Sequence, residues 1–158
     1  MTPTIIKRYN NGGTIEIYKG FKHRGDDYER IYTCCKHFAK QGKRAIIMPS
    51  INYKDPIYQV LYKDLIGTQY ERKCPDICVD GVFYEHEGFC SSNHKKAFLN
   101  MMKRGTKQSS RIIIEDCGIT ERYVKRWCVN IVVSDKHIEE LLVIDRTGNI
   151  RTIFSKKQ

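Results

Sequence analysis

Apolar positions along the chain switch between a period of two and spacings of three and four, and each switch marks an element. Residues 4–8 and 14–18 read as two strands around Asn10-Asn11-Gly12-Gly13, a run that tolerates positive φ and predicts a hairpin. Asp26 or Asp27 is placed to cap a helix reaching to about Gln41, with Tyr28, Ile31, Tyr32, Cys35, Phe38 and Ala39 on its apolar stripe and Gly42 after its end. Residues 45–48 form a short apolar strand closed by Pro49. Asp55-Pro56 opens a second helical stretch carrying Ile57, Val60, Leu61 and Leu65, closed near Gly67. Residues 76–86 are a hairpin turning at Asp80-Gly81 between apolar strands. A third helix is predicted over 93–104, a strand over 111–115, a fourth helix after Thr120 with Tyr123, Val124, Trp127, Cys128 and Ile131 on one face, and a last hairpin over 140–144 and 150–154.

The order ββ-α-β-α-ββ-α-β-α-ββ excludes a purely parallel, doubly wound sheet. It predicts an α+β fold: a mixed, largely antiparallel sheet built from hairpins, with about four helices. No linker or repeat interrupts residues 1–158, so a single domain is expected, with residues 1–20 as an N-terminal hairpin and 26–154 as the core. No apolar run approaches the roughly 20 residues that span a bilayer. The first residues carry no signal-peptide pattern, and a cytoplasmic location without a membrane partner is expected.

Charge adds a partner class. Twenty-eight Lys and Arg stand against eighteen Asp and Glu, a net charge of +10, which favours an anionic partner. Seven cysteines in a chain of this length read as reduced, mostly buried thiols. A metal site drawn from Cys74, Cys78, His86 and Cys90 is disfavoured, because strand residues four apart lie about 13 Å apart.

The chemistry concentrates in residues 73–87. Asp76 begins the first hairpin strand; Glu85 and Glu87 end the second, on one face because strands alternate. A tight hairpin pairs those ends, and clustered carboxylates are costly unless they bind a cation, share a proton or face basic groups. Asp76, Glu85 and Glu87 are therefore candidate catalytic residues and candidate ligands for Mg²⁺ or Mn²⁺, which suit oxygen donors and activate water. Between Gly88 and Ile114 no acidic residue occurs, while Lys95, Lys96, Lys103, Arg104, Lys107 and Arg111 are basic. With Ala97, Phe98, Met101 and Met102 inward, the helix cations point outward, and with Gln108 they form the candidate nucleic-acid contact.

These motifs follow one another as in a known family. Gly42-Lys-Arg-Ala-Ile-Ile-Met48-Pro49, Pro75-Asp76, Asp80-Gly81, Tyr84-Glu85-x-Glu87, Lys107-Gln108-Ser109, Arg111-Ile-Ile-Ile-Glu115 and the closing hairpin through Gly148 resemble the C-terminal tRNA-nuclease-like domains of contact-dependent growth inhibition and related polymorphic toxins. Such domains are described as barnase/EndoU/colicin/RelE-like or restriction-endonuclease-like. The chain is also similar to free-standing homologues carried by mobile genetic elements. The resemblance implies a nuclease acting on RNA, tRNA-like, in preference to DNA. The alternative is an inactive nucleic-acid-binding protein, or a toxin–immunity interaction protein, on the same fold.

One departure bears on activity. The family's Glu-x-Lys is Glu85-His86-Glu87 here, so Glu87 stands where a lysine would orient or activate water. In a metal-dependent scheme, Asp76 and Glu85 are ligands and Glu87 is the base or a third ligand. In a metal-free scheme without any cofactor, His86 or His94 is the general base or acid, with Lys107, Gln108 and Arg111 on the phosphate. His86 points away from Glu85 on a strand, so the two schemes use opposite faces.

Overall fold

A computed structural model of the chain describes residues 1–22, 25–88, 95–116 and 118–156. His23, His94 and Cys90 lie outside the described residues. The fold forms two compact units, Met1–Phe83 and Tyr84–Gln158, each with its own apolar core.

In the first unit, β1 (Thr4–Arg8) and β2 (Thr14–Ile17) pair antiparallel as the expected hairpin, with a register slip between Ile5 and Lys7. Helix α1 (Tyr28–Ala39) returns the chain to β3 (Arg44–Ile47), which pairs parallel to β2; β4 (Ile77–Val79) pairs antiparallel to β3. Asp27 is the N-cap of α1, yet its side chain makes no capping bond, because a 3-10 turn over Gly25–Asp27 leads into the helix. α1 ends at Ala39 rather than Gln41. Gly42, at φ 84°, turns the chain back toward the sheet.

α1 lies over one face of this sheet and buries Ile31, Cys34, Cys35, Phe38 and Ala39. The second face buries Ile46, Met48 and Cys78 under Tyr58, Leu61, Tyr62 and Leu65. Those side chains come from α2 (Pro56–Leu61) and the 3-10 turn after it, Lys63–Leu65. The helical pattern through Leu65 is thus split, with Leu61 the last α-helical residue. Asp55 caps α2 by accepting a hydrogen bond from Ile57 N at 2.9 Å, as the Asp-Pro pair predicts. Asp80 at φ 47° and Gly81 at φ 84° form the tight turn that launches β5 (Val82–Glu87).

In the second unit, β6 (Arg111–Glu115) pairs parallel to β5 and to β7 (Glu140–Ile144), and β8 (Ile150–Ser155) pairs antiparallel to β7. The parallel pairs need crossovers, supplied by α3 (Lys95–Thr106) and α4 (Glu121–Ser134). Both helices cover one face, where Phe98, Met101, Met102, Val124, Trp127 and Cys128 meet Ile112, Ile114, Leu141 and Val143. Ile113, Leu142 and Ile144 point to the opposite face and are buried as well, so β6 and β7 read as unbroken apolar runs.

Trp127 is a core residue, as expected. Tyr123 departs from its predicted inward position: it is 48% exposed and stacks on the Trp127 ring at 5.8 Å between centroids. The α+β class, the mixed strand pairing and the four α-helices agree with the sequence pattern. No helix among the described residues is long and apolar enough to cross a membrane.

Candidate functional site

Asp76 belongs to the first unit and is buried. The chain on either side of it is fixed by two buried tyrosines. Tyr58 donates its hydroxyl to the carbonyl of Lys73 at 2.6 Å. Tyr62 donates to the carbonyl of Pro49 at 2.7 Å, with a longer contact to that of Pro75 at 3.3 Å. The carbonyl of Asp76 itself accepts from Met48 N at 2.9 Å. Hydroxyls satisfying these carbonyls let an irregular segment lie inside without the desolvation cost of bare backbone groups.

Glu85 and Glu87 belong to the second unit. Their register partners on β6 are Ile112 and Ile114, so both carboxylates point to the helix-covered face, as strand alternation requires. Oε1 of Glu85 is sealed from solvent, and the Glu87 side chain is only 13% exposed. α3 comes close here. A Cβ built on Gly105 would lie 2.9 Å from Cγ of Glu87 and 3.2 Å from Cγ2 of Ile112, so only glycine lets the helix approach this carboxylate. One residue back, Nη2 of Arg104 stands 3.9 Å from Oε2 of Glu87.

Lys95, Lys96, Lys103 and Arg104 are exposed on α3, while Phe98, Met101 and Met102 are buried beneath them. Lys107 is exposed and Gln108 half-buried just beyond the helix. The acidic strand end and the basic helix are therefore neighbours within one unit.

The opposite face of β5 carries a different arrangement. His86 is buried, and its Nε2 lies 2.6 Å from Oε2 of Glu115. A carboxylate at that distance fixes the ring orientation and favours a proton on Nε2. On the same face Arg111 is ion-paired to Glu139 at 2.5 Å and to Glu140 at 3.2 Å, and the Tyr84 hydroxyl lies 3.4 Å from both oxygens of Glu140. Burial, reinforced by Glu140, pushes the Tyr84 phenol up to about 12, so it remains a proton donor across neutral pH.

The sequence pointed to Arg111 as a phosphate contact. In the structure its guanidinium is already held by two carboxylates and faces away from the surface of α3. Glu115, Glu139, Glu140 and Tyr84, which the sequence did not single out as candidates, are the partners of His86 and Arg111 on this face. The one available signal was the Glu ending the Ile-Ile-Ile run, which meets His86 only through parallel pairing of β5 with β6.

Among the described residues, no three His, Cys, Asp or Glu side chains form a group that could hold a metal ion. Cys74 donates its thiol to the carbonyl of Ile51, and Cys78 is part of the apolar core. Cys34, Cys35, Cys74, Cys78 and Cys128 form no disulfide, and all but Cys74 are buried.

No protein-family model and no curated protein matches the sequence. Among solved structures, a chain of the CdiA-CT/CdiI toxin and immunity complex from Burkholderia pseudomallei is similar in fold. The identity is 15% and the TM-score 0.54, over 87% of this chain and 96% of that one. The likeness is one of fold.

Proposed function

We propose that the protein is a nuclease of the toxin type that hydrolyses RNA phosphodiesters, with Glu85 and Glu87 at its chemical centre and α3 as its phosphate-positioning surface. The observation that carries this reading is the Glu87 carboxylate lying under a helix whose Lys95, Lys96, Lys103 and Arg104 are all exposed. Such cations neutralise phosphates on either side of the scissile bond. A carboxylate held beside the scissile bond can take the proton of an attacking water. Glu87 is assigned that role, in the position where the resembled family has lysine.

The test is cleavage of structured RNA, unstructured RNA and DNA, with Mg²⁺, with Mn²⁺ and with EDTA. Glu87→Gln and Glu85→Ala are each expected to lower RNA cleavage by about 10²-fold or more, the scale of a lost general base. Lys103→Ala/Arg104→Ala is expected to weaken binding and flatten its salt dependence. Full activity in both glutamate variants refutes the assignment.

A second reading keeps the fold and drops the chemistry. Glu87 in place of lysine, together with a structural neighbour that comes from a two-protein complex, supports a binding protein with a toxin or immunity partner. Salt-sensitive RNA binding with no cleavage under any metal condition, or a stoichiometric protein partner without RNA affinity, selects it.

A further inference from the structure

The first unit contains a recess of about 220 Å³ that the proposed chemistry does not use. It opens where β2 runs out into Tyr18-Lys19-Gly20-Phe21-Lys22, and it is closed by Tyr28 at the start of α1 and by Met48 after β3. Its size is below the roughly 300–1,000 Å³ of pockets for drug-sized ligands and suits a single planar group. Three of its lining side chains are aromatic, two are lysines, and none is acidic. Lys19 and Lys22 are exposed at its rim, while Tyr18, Phe21 and Tyr28 are half-buried. Burial holds the Tyr18 and Tyr28 phenols above their ordinary range, so both rings stay neutral hydrogen-bond donors. Met48, in its wall, donates its N–H to the carbonyl of Asp76.

We propose that this recess receives one unpaired base of a single-stranded nucleic acid, with Lys19 and Lys22 on the flanking phosphates. Aromatic rings stack on any base, because every base has a π face, and lysines beside them track the backbone; both elements meet in the lining of this recess. A protein partner would find little apolar area in so small a hollow. The inference rests on the nucleic-acid reading above and adds to it a site for the nucleotide, next in the chain fold to Asp76.

The experiment is equilibrium binding of labelled oligouridylate and oligothymidylate to the full chain across a salt series, with each oligonucleotide checked as intact afterwards. Phe21→Ala is expected to weaken binding roughly 5- to 150-fold, the range for loss of one stacked base. Because Phe21 also packs against the apolar core, Phe21→Leu is measured beside it; Leu keeps apolar bulk and removes the ring, and several-fold weaker binding is expected. Lys19→Ala/Lys22→Ala, both exposed, is expected to reduce the slope of log affinity against log salt by about 1.4, two single-strand phosphate contacts.

Wild-type affinity in Phe21→Leu together with an unchanged slope in the lysine variant overturns the proposal, as does absence of oligonucleotide binding by the wild type. Cleavage that persists without any dependence on Phe21 overturns the recess alone. Ring-dependent binding without cleavage supports the recess and removes the nuclease.

Discussion

Arg44 and Glu16 make the sharpest energetic test of the first unit. Glu16 lies on β2, 4% exposed, and its carboxylate accepts Nε of Arg44 at 2.7 Å, Nη2 at 2.8 Å and the Thr14 hydroxyl at 2.7 Å. Burial alone would push this carboxyl up, but the Arg44 fork and Thr14 outweigh it and hold it below its ordinary range. The two partners are unequally placed, since the Arg44 side chain is 52% exposed. Arg44→Ala strips two charge-assisted bonds from a carboxylate that cannot reach water; Glu16→Gln leaves a guanidinium that can.

Two such bonds are worth about 1.5–3 kcal/mol each at full burial. Half-exposure of the arginine pulls the total toward the surface regime, where a pair contributes about 0–1 kcal/mol. A net loss of about 2–3 kcal/mol at neutral pH follows for Arg44→Ala, and less for Glu16→Gln. The sign with pH is fixed. A carboxyl lowered by folding contributes stability that is full above its unfolded value of 4.5 and is lost as pH falls through the folded value. In Arg44→Ala the carboxyl loses the guanidinium fork and keeps only Thr14 and the field of Arg8, so it moves up from its folded value in the wild type.

The stability gap between wild type and variant is therefore widest at neutral pH and narrows in acid. Urea unfolding followed by circular dichroism at about pH 7 and about pH 4 reads both numbers. A gap below about 0.5 kcal/mol at neutral pH, or one that does not shrink in acid, refutes the reasoning.

Three further outcomes are expected. Gly13→Ala places a Cβ 1.8 Å from the carbonyl oxygen of Ala39, a backbone atom that cannot step aside; loss of soluble expression, or destabilisation above about 3 kcal/mol, is predicted from thermal melts. Gly105→Ala gains about 1 kcal/mol of helix propensity but overpacks against Glu87 and Ile112 at a cost of about 1–3 kcal/mol, so its melting temperature should fall rather than rise. Burial pushes the Cys128 thiol up to about 12 from 9.0, so its contribution is intact below pH 9 and is lost as pH rises toward 12. Cys128→Ala should therefore lose stability less steeply than wild type over that window, by up to about 1.4 kcal/mol per pH unit in urea titrations.

The elements legible in the sequence were those set by local rules. Asp80-Gly81 forced a turn, because few other pairs tolerate φ of 47° and 84° in succession. Asp55-Pro56 started a helix by capping one N–H and omitting another. The stripes of α1, α3 and α4 were visible as spacings of three and four, and strand alternation alone put Glu85 and Glu87 on one face with His86 on the other. The charge of α3 was legible for the same reason: once the apolar residues are inward, the lysines have one direction left.

Tertiary structure decided everything that depends on which strand lies beside which. Parallel pairing of β5 with β6 and of β6 with β7 is arranged by crossover helices, so no short pattern encodes its register. That register brings Glu115 to His86 across 29 residues of sequence and ties Arg111 to Glu140 across another 29. The charge of Arg111 is written in the sequence, while its carboxylate partners Glu139 and Glu140 arrive only with the fold. The aromatic recess is of the same kind: Tyr18, Phe21, Tyr28 and Met48 come from three parts of the chain, and only the closure of α1 over β2 and β3 makes them one surface.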